Sequence, residues 1–135
     1  MSFFSGLFGA RKMRILAVDD DPDVLELLRG ILKTEGYEVE TAKDGLEGLE
    51  RIKKNVYDLI ILDSRLPKMS GAELLEMIRA APKGKKQAVI MLSAEDMLGP
   101  IYKAYEMGII EWMPKPFSPE KFLTKVRAHL NAVRA

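Results

Sequence analysis

Four apolar runs in this 135-residue sequence are closed by groups that ionise or carry a hydroxyl. Asp19-Asp20-Asp21 follows the first, Asp63 and Ser93 close two others, and Lys115 stands two residues past the last. Carboxylates drawn close together repel unless a hard divalent cation sits among them, and Mg²⁺ takes a few carboxylates together with water and phosphate oxygens. Were Asp19, Asp20 and Asp63 to converge, the cluster would call for such a metal. A phosphoryl group on Asp63 could then offer its oxygens to the metal, the Lys115 ammonium and the Ser93 hydroxyl, the charge stabilisation that phosphoryl transfer depends on. Singly, these residues have plainer readings: an Asp triplet often caps the next helix, Lys115 could be a surface lysine, and Ser93 a turn residue. Asp63 is harder to dismiss, because an ionisable residue directly after Leu59-Ile-Ile-Leu62 needs a reason. Asp19, Asp21 and Asp23 imitate the start of a calcium loop, but Val24 stands where that loop needs glycine and Gly30 where it needs glutamate.

Convergence requires that the runs be neighbouring strands, and the pattern from Met13 onward predicts this. Short apolar runs alternate with amphipathic stretches, as in the βα units of a parallel sheet. Strands are expected at 14–18, 37–41, 59–62, 88–92 and 109–113. The Leu59–Leu62 run, apolar throughout, reads as a strand buried on both faces and so central. Between the strands, Val24, Leu27, Leu28, Ile31 and Leu32 recur at helical spacing until Gly36, and Leu46, Leu49 and Ile52 mark a second helix. Leu74, Leu75 and Ile78 give a third helix and residues 101–107 a fourth. Ser118-Pro119 opens a fifth with an N-cap and a proline at the first helical position. In an open parallel sheet ligands bind outside the carboxyl ends of the strands, which is where the reactive residues lie.

Composition narrows the function classes. A formal net charge of +1 argues against direct nucleic-acid binding, which normally shows a strong basic excess. The absence of cysteine excludes disulfides and thiolate metal sites and fits a cytoplasmic location. No apolar run is long enough to span a bilayer. Residues 1–12 read as an apolar and basic extension and 13–135 as the domain proper, with no room for an output domain. The extension is a poor signal peptide, since Arg11 and Lys12 follow its apolar stretch instead of preceding it. Phe3, Phe4, Leu7 and Phe8 fit one face of a short helix, which would pack on its own domain or make weak contact with a membrane or partner.

Taken in order, these motifs resemble the receiver domain of two-component response regulators, over Met13 to about Leu130. The resemblance implies a doubly wound five-stranded parallel α/β sheet of flavodoxin-like order 2-1-3-4-5, with five helices. It implies that Asp63 accepts a phosphoryl group from a histidine kinase or phosphotransfer protein, and that Asp19, Asp20, Asp63 and the Arg65 backbone carbonyl hold Mg²⁺. Ser93 matches the switch hydroxyl, Lys115 the family lysine, and Pro116 the proline after it, whose peptide bond is cis in the family. Leu66-Pro67 and Met69-Ser70-Gly71 resemble the family's turn after the acceptor. Such a domain acts as a monomer or an activation-linked dimer, catalysing only its own phosphorylation and dephosphorylation.

Two departures stand out. Trp112 occupies a place usual for tyrosine or phenylalanine, and its bulk is expected to hinder the inward swing of those rings. Ile109 and Ile110 enlarge the apolar content around the fifth strand and, with Trp112, Tyr102 and Tyr105, suggest a partner-binding face. Arg65 and Glu95, each two residues past a site residue, place opposite charges at the mouth of the site and are expected to lengthen the phosphoryl lifetime. The alternatives are a metal-dependent phosphatase with an aspartate nucleophile, and an adaptor of receiver fold that is never phosphorylated. Against the first, Asp23 stands where a dehalogenase-type enzyme needs threonine or valine; against the second stands the full set of reactive residues. His129 reads as a solvated helix residue.

Overall fold

The computed structural model describes residues 11–134. The extension predicted for residues 1–12 lies almost wholly outside them. Among these residues five strands and five helices alternate. The strands are β1 (Arg14–Val18), β2 (Glu38–Ala42), β3 (Leu59–Leu62), β4 (Val89–Ser93) and β5 (Glu111–Pro114); the helices are α1 (Pro22–Thr34), α2 (Gly45–Lys54), α3 (Gly71–Ala80), α4 (Leu98–Glu106) and α5 (Pro119–Arg134). A single turn of 3₁₀ helix at Pro82–Gly84 precedes β4. All pairings are parallel, in the order β2-β1-β3-β4-β5. None of the described helices is long and apolar enough to cross a membrane.

β1 and β3 fall where the apolar runs predict, and the other strands begin one or two residues later. The largest difference is at β5. The end of α4 keeps Ile109 for itself, its N–H donating to the Ala104 carbonyl after the left-handed turn at Gly108 (φ 83°). Only from Ile110, whose N–H reaches the Val89 carbonyl at 2.8 Å, does the chain join the sheet. α4 starts earlier than periodicity suggests, at Leu98, because Pro100 in its first turn needs no N–H there.

The sheet is covered on both faces, and side-chain alternation decides which residues go where. Leu16, Val18, Ile60, Leu62, Val89, Met91 and Trp112 face α2, α3 and α4; Ile15, Ala17, Leu59, Ile61, Ile90, Leu92 and Met113 face α1 and α5. β3 has all four residues buried, as its unbroken apolar run requires. Burying such aliphatic side chains stabilises the fold by about 1.5–3 kcal/mol each, before chain entropy is counted.

Capping fixes the helix starts around the reactive edge. Asp21, not Asp19 or Asp20, caps α1 by accepting from the Asp23 N–H at 2.9 Å. Ser70 and Glu73 form a capping box on α3, and the Ser118 hydroxyl accepts from the Lys121 N–H at the start of α5. The Lys115–Pro116 peptide is cis.

Candidate functional site at the carboxyl edge of the sheet

Backbone hydrogen bonds carry the sheet past its last paired residues and bring the reactive groups together. The Asp63 N–H donates to the Val18 carbonyl at 3.0 Å and the Lys115 N–H to the Ser93 carbonyl at 2.9 Å, so the ends of β1, β3, β4 and β5 stay in step. Asp19, Asp63 and Lys115 continue the alternation of Ala17, Ile61 and Met113, and so lie on one side of that edge. Asp19 and Asp63 are buried, whereas Asp20 is exposed at the mouth.

Carboxylate oxygens of Asp19, Asp20 and Asp63 lie within 4.8 Å of one another, and among the described residues this is the one such cluster of metal-ligating groups. The Lys115 ammonium donates to Asp19 Oδ2 at 2.6 Å and to Asp63 Oδ2 at 3.2 Å. Asp19 Oδ1 accepts the Asp21 N–H at 3.0 Å, and Asp63 Oδ1 the Arg65 N–H at 3.1 Å. Burial pushes the Asp19 carboxyl above the usual carboxylate range, and the neighbouring Asp63 charge adds to it, outweighing the hydrogen bond from Lys115. Burial alone would lower the Lys115 ammonium, but the hydrogen bonds and charges of Asp19 and Asp63 more than offset it and hold it above the ordinary lysine value. Three carboxylates against one ammonium leave a net charge of about −2 when all are ionised, which a divalent cation would neutralise. The cluster therefore fits a metal by charge, by ligand type and by spacing.

The turn after Asp63 is held by close packing of backbone on backbone. The Gly71 N–H donates to the Ser64 carbonyl at 3.0 Å, and a β-carbon at Gly71 would stand 2.0 Å from the Asp63 carbonyl oxygen. Only glycine lets the start of α3 approach the acceptor so closely.

Ser93 is wholly buried and accepts the Glu95 N–H at 3.0 Å. Its hydroxyl also bonds that of Ser64, which in turn reaches Glu95 Oε2 at 3.0 Å. Nothing in the sequence around Ser64 marks it as a site residue. The register Leu62↔Met91, carried two residues on, sets Ser64 beside Ser93, and Ser64 extends the buried face of Ile60 and Leu62. That continued alternation was the available signal. Arg65 and Glu95 approach to 3.9 Å, with the Arg65 side chain largely in solvent.

Of the residues expected on a partner face, Tyr102 and Tyr105 are exposed, Ile110 is partly buried, and Ile109 and Trp112 belong to the core. Trp112 is not kept out by its bulk. Its ring lies inside, Nε1 donating to the Glu95 carbonyl at 3.2 Å, and its backbone N–H donates to the Tyr105 hydroxyl at 2.9 Å. The ring also forms part of the wall of an apolar cleft of about 400 Å³ between α3 and α4, together with Leu75, Ala104 and Met107. His129 is half-buried on α5 and is not among the site residues.

The profile of the response regulator receiver domain matches residues 15–127. Response regulator MprA of Mycobacterium leprae is 37% identical over 122 residues, 90% of this chain and 53% of that protein. Transcriptional regulatory protein DltR of Streptococcus agalactiae is 35% identical over 115 residues, 85% of this chain and 50% of its own. The chain thus spans about half the length of these curated relatives. Among solved structures, a CheY-like receiver domain from Methanospirillum hungatei superposes with a TM-score of 0.84 at 34% identity, over 90% of this chain and 96% of that one. The chemotaxis protein CheY4 of Vibrio cholerae gives 0.81 at 33%, over 87% and 98%. With this fold, this edge and these relatives, the chain belongs to the response regulator receiver domain family, whose members are signalling domains.

Proposed function

We propose that this receiver domain takes a phosphoryl group onto Asp63 from a histidine kinase or histidine phosphotransfer protein, and signals by changing a protein-binding surface. The observation that carries the reading is the buried Asp63 carboxylate, held between the Lys115 ammonium and the Asp19–Asp20 pair. Asp19, Asp20, Asp63 and the Arg65 backbone carbonyl would hold Mg²⁺. When bound, the ion supplies positive charge to the oxygens of the transferring group. Lys115 offers a second positive charge at Asp63 Oδ2, and its bond to Asp19 holds it there. The Arg65 N–H fixes Asp63 Oδ1, orienting the carboxylate without touching Oδ2. Burial of Asp63 limits access of water to the mixed anhydride that would form.

The Arg65–Glu95 pair flanks the mouth and would hinder the in-line approach of water to the phosphoryl group. Exposed Met97, Leu98, Tyr102 and Tyr105 on and just before α4 supply the apolar content of a protein-binding face. Tyr105, through its bond to the Trp112 backbone, couples that face to β5. The self-limited chemistry, rather than turnover of an external substrate, fits a switch in the cytoplasm better than an enzyme.

Titrating Mg²⁺ alone, and then beryllofluoride at fixed Mg²⁺, tests the reading through Trp112 fluorescence. The expected result is weak metal binding that beryllofluoride strengthens, both lost in Asp19→Asn and Asp63→Asn. A response to beryllofluoride retained by Asp63→Asn would refute it.

A further inference from the structure

The buried hydroxyl chain beside the acceptor has a direction, and the direction follows from what each atom can do. A carboxylate oxygen of Glu95 only accepts, so the 3.0 Å contact with Ser64 Oγ uses the one proton of Ser64. Ser64, its proton committed, can meet Ser93 only as acceptor, so the Ser93 hydroxyl must donate to Ser64. Ser93 Oγ meanwhile accepts the Glu95 N–H. The order is Ser93 to Ser64 to Glu95, and the single proton of Ser93 is aimed at Ser64. Ser93 lies on the face of β4 shared with Met91 and Val89, whereas Asp63 lies on the opposite face of β3.

We propose that Ser64 is a positioning residue that competes with a phosphoryl oxygen on Asp63 for the Ser93 proton, with Glu95 setting the direction of the competition. The proposal rests on the acceptor reading of Asp63 and adds to it a residue that holds the switch in its unphosphorylated arrangement. To bond a phosphoryl oxygen, Ser93 must give up Ser64, which leaves the Ser64 hydroxyl still satisfied by Glu95. The exchange therefore strands no polar group on the Ser64 side, and its cost is one neutral hydrogen bond. Such a bond is worth from about twofold to somewhat over tenfold in an equilibrium constant. Glu95 belongs to both arrangements: its N–H holds the Ser93 oxygen, its carboxylate the Ser64 proton, and its carbonyl the Trp112 indole. Release of Ser93 is thus reported by the one tryptophan of the chain.

Beryllofluoride with Mg²⁺ is the probe, and Trp112 fluorescence gives its apparent affinity. Ser64→Ala should bind beryllofluoride about three- to tenfold more tightly than the parent at unchanged Mg²⁺ affinity. Ser64→Thr should restore the parent value because the hydroxyl is retained. Glu95→Ala should also tighten binding, since Ser64 can then donate to Ser93 and free its proton. In a Ser93→Ala background, with beryllofluoride binding read directly by fluorine NMR, Ser64→Ala should have no effect, which a merely structural role for Ser64 would not predict. Unchanged or weaker binding in Ser64→Ala, or an undiminished effect without the Ser93 hydroxyl, would overturn the proposal while leaving the acceptor reading intact. A parent protein that ignores beryllofluoride would take both down together. Should Ser64→Ala fail to fold, the Glu95→Ala arm decides by the same measure.

Discussion

Among the described residues Lys115 is the one cation held against the buried Asp19 and Asp63, so replacing it by methionine of similar length isolates its electrostatic role. At an effective dielectric of about 20, each of the two contacts, at 2.6 and 3.2 Å, corresponds to more than about 5 kcal/mol of gross attraction. Two effects cap the net loss. The desolvation of the ammonium is recovered, and the carboxylates can bind a proton once remaining charged becomes too costly. Lifting one carboxylate from its ordinary pKa of about 4 to neutrality costs about 4 kcal/mol at pH 7, which sets the ceiling. Lys115→Met should therefore lose about 3–4 kcal/mol at pH 7, in line with other broken buried ion pairs, or about 10 °C in Tm for a domain of this size. The pH dependence has a definite sign. Loss of the Lys115 hydrogen bond and charge lets burial push the Asp19 carboxyl further up, so the deficit is small below the unfolded carboxylate range near 4 and grows as pH rises toward 7. Urea unfolding of parent and variant at pH 4 and pH 7, with and without Mg²⁺, measures it. Saturating Mg²⁺ should recover more stability in the variant than in the parent. A loss below about 1 kcal/mol at pH 7, or the same loss at both pH values, would show that Lys115 does not hold these carboxylates ionised.

Three further outcomes follow from the geometry. Gly71→Ala should destabilise the domain by about 3 kcal/mol and slow modification of Asp63, because the new β-carbon would stand 2.0 Å from the Asp63 carbonyl oxygen and 2.8 Å from Ser64 Cα, both backbone; urea unfolding and labelling rate report it. The Tyr57 phenol is pushed up to about 12 by burial and by donating to Glu40 at 2.7 Å, so an alkaline absorbance titration should show a late phenolate step that Tyr57→Phe removes. Since its folded pKa is raised, its contribution to stability is full below about pH 10 and fades as pH climbs through about 12. Arg65→Ala, Glu95→Ala and the double variant should shorten the life of the phosphorylated protein, by up to about tenfold if the lid obstructs water by about 1.4 kcal/mol, and less than additively.

Strand positions, order of elements and the acidic edge were legible in the sequence because each is written locally. Leu59–Leu62 followed by Asp63 is a buried strand with a charge at its end, and nothing distant is needed to see it. What escaped depends on which strands lie side by side. Ser64 reads as loop in Asp-Ser-Arg, and only the parallel register of β3 with β4 makes it a buried partner of Ser93. Arg79 was equally opaque: on an amphipathic helix it reads as a solvated charge, yet it donates to the carbonyls of Met107, Gly84, Gln87 and Gly108, tying α3 to the entry of β4 and the end of α4. The inward Trp112 ring also needed the fold, since Leu75, Met91 and Ala104, which share its core cluster, are brought together only by tertiary packing.

Whether Asp63 accepts a phosphoryl group is decided by the intact mass of the protein after exposure to a small phosphodonor with Mg²⁺. The parent should gain one phosphoryl group, the gain should vanish without the metal, and Asp63→Asn should remain unmodified. A phosphoryl group on the Asp63→Asn protein, or none on a folded, Mg²⁺-loaded parent, would contradict that role for Asp63.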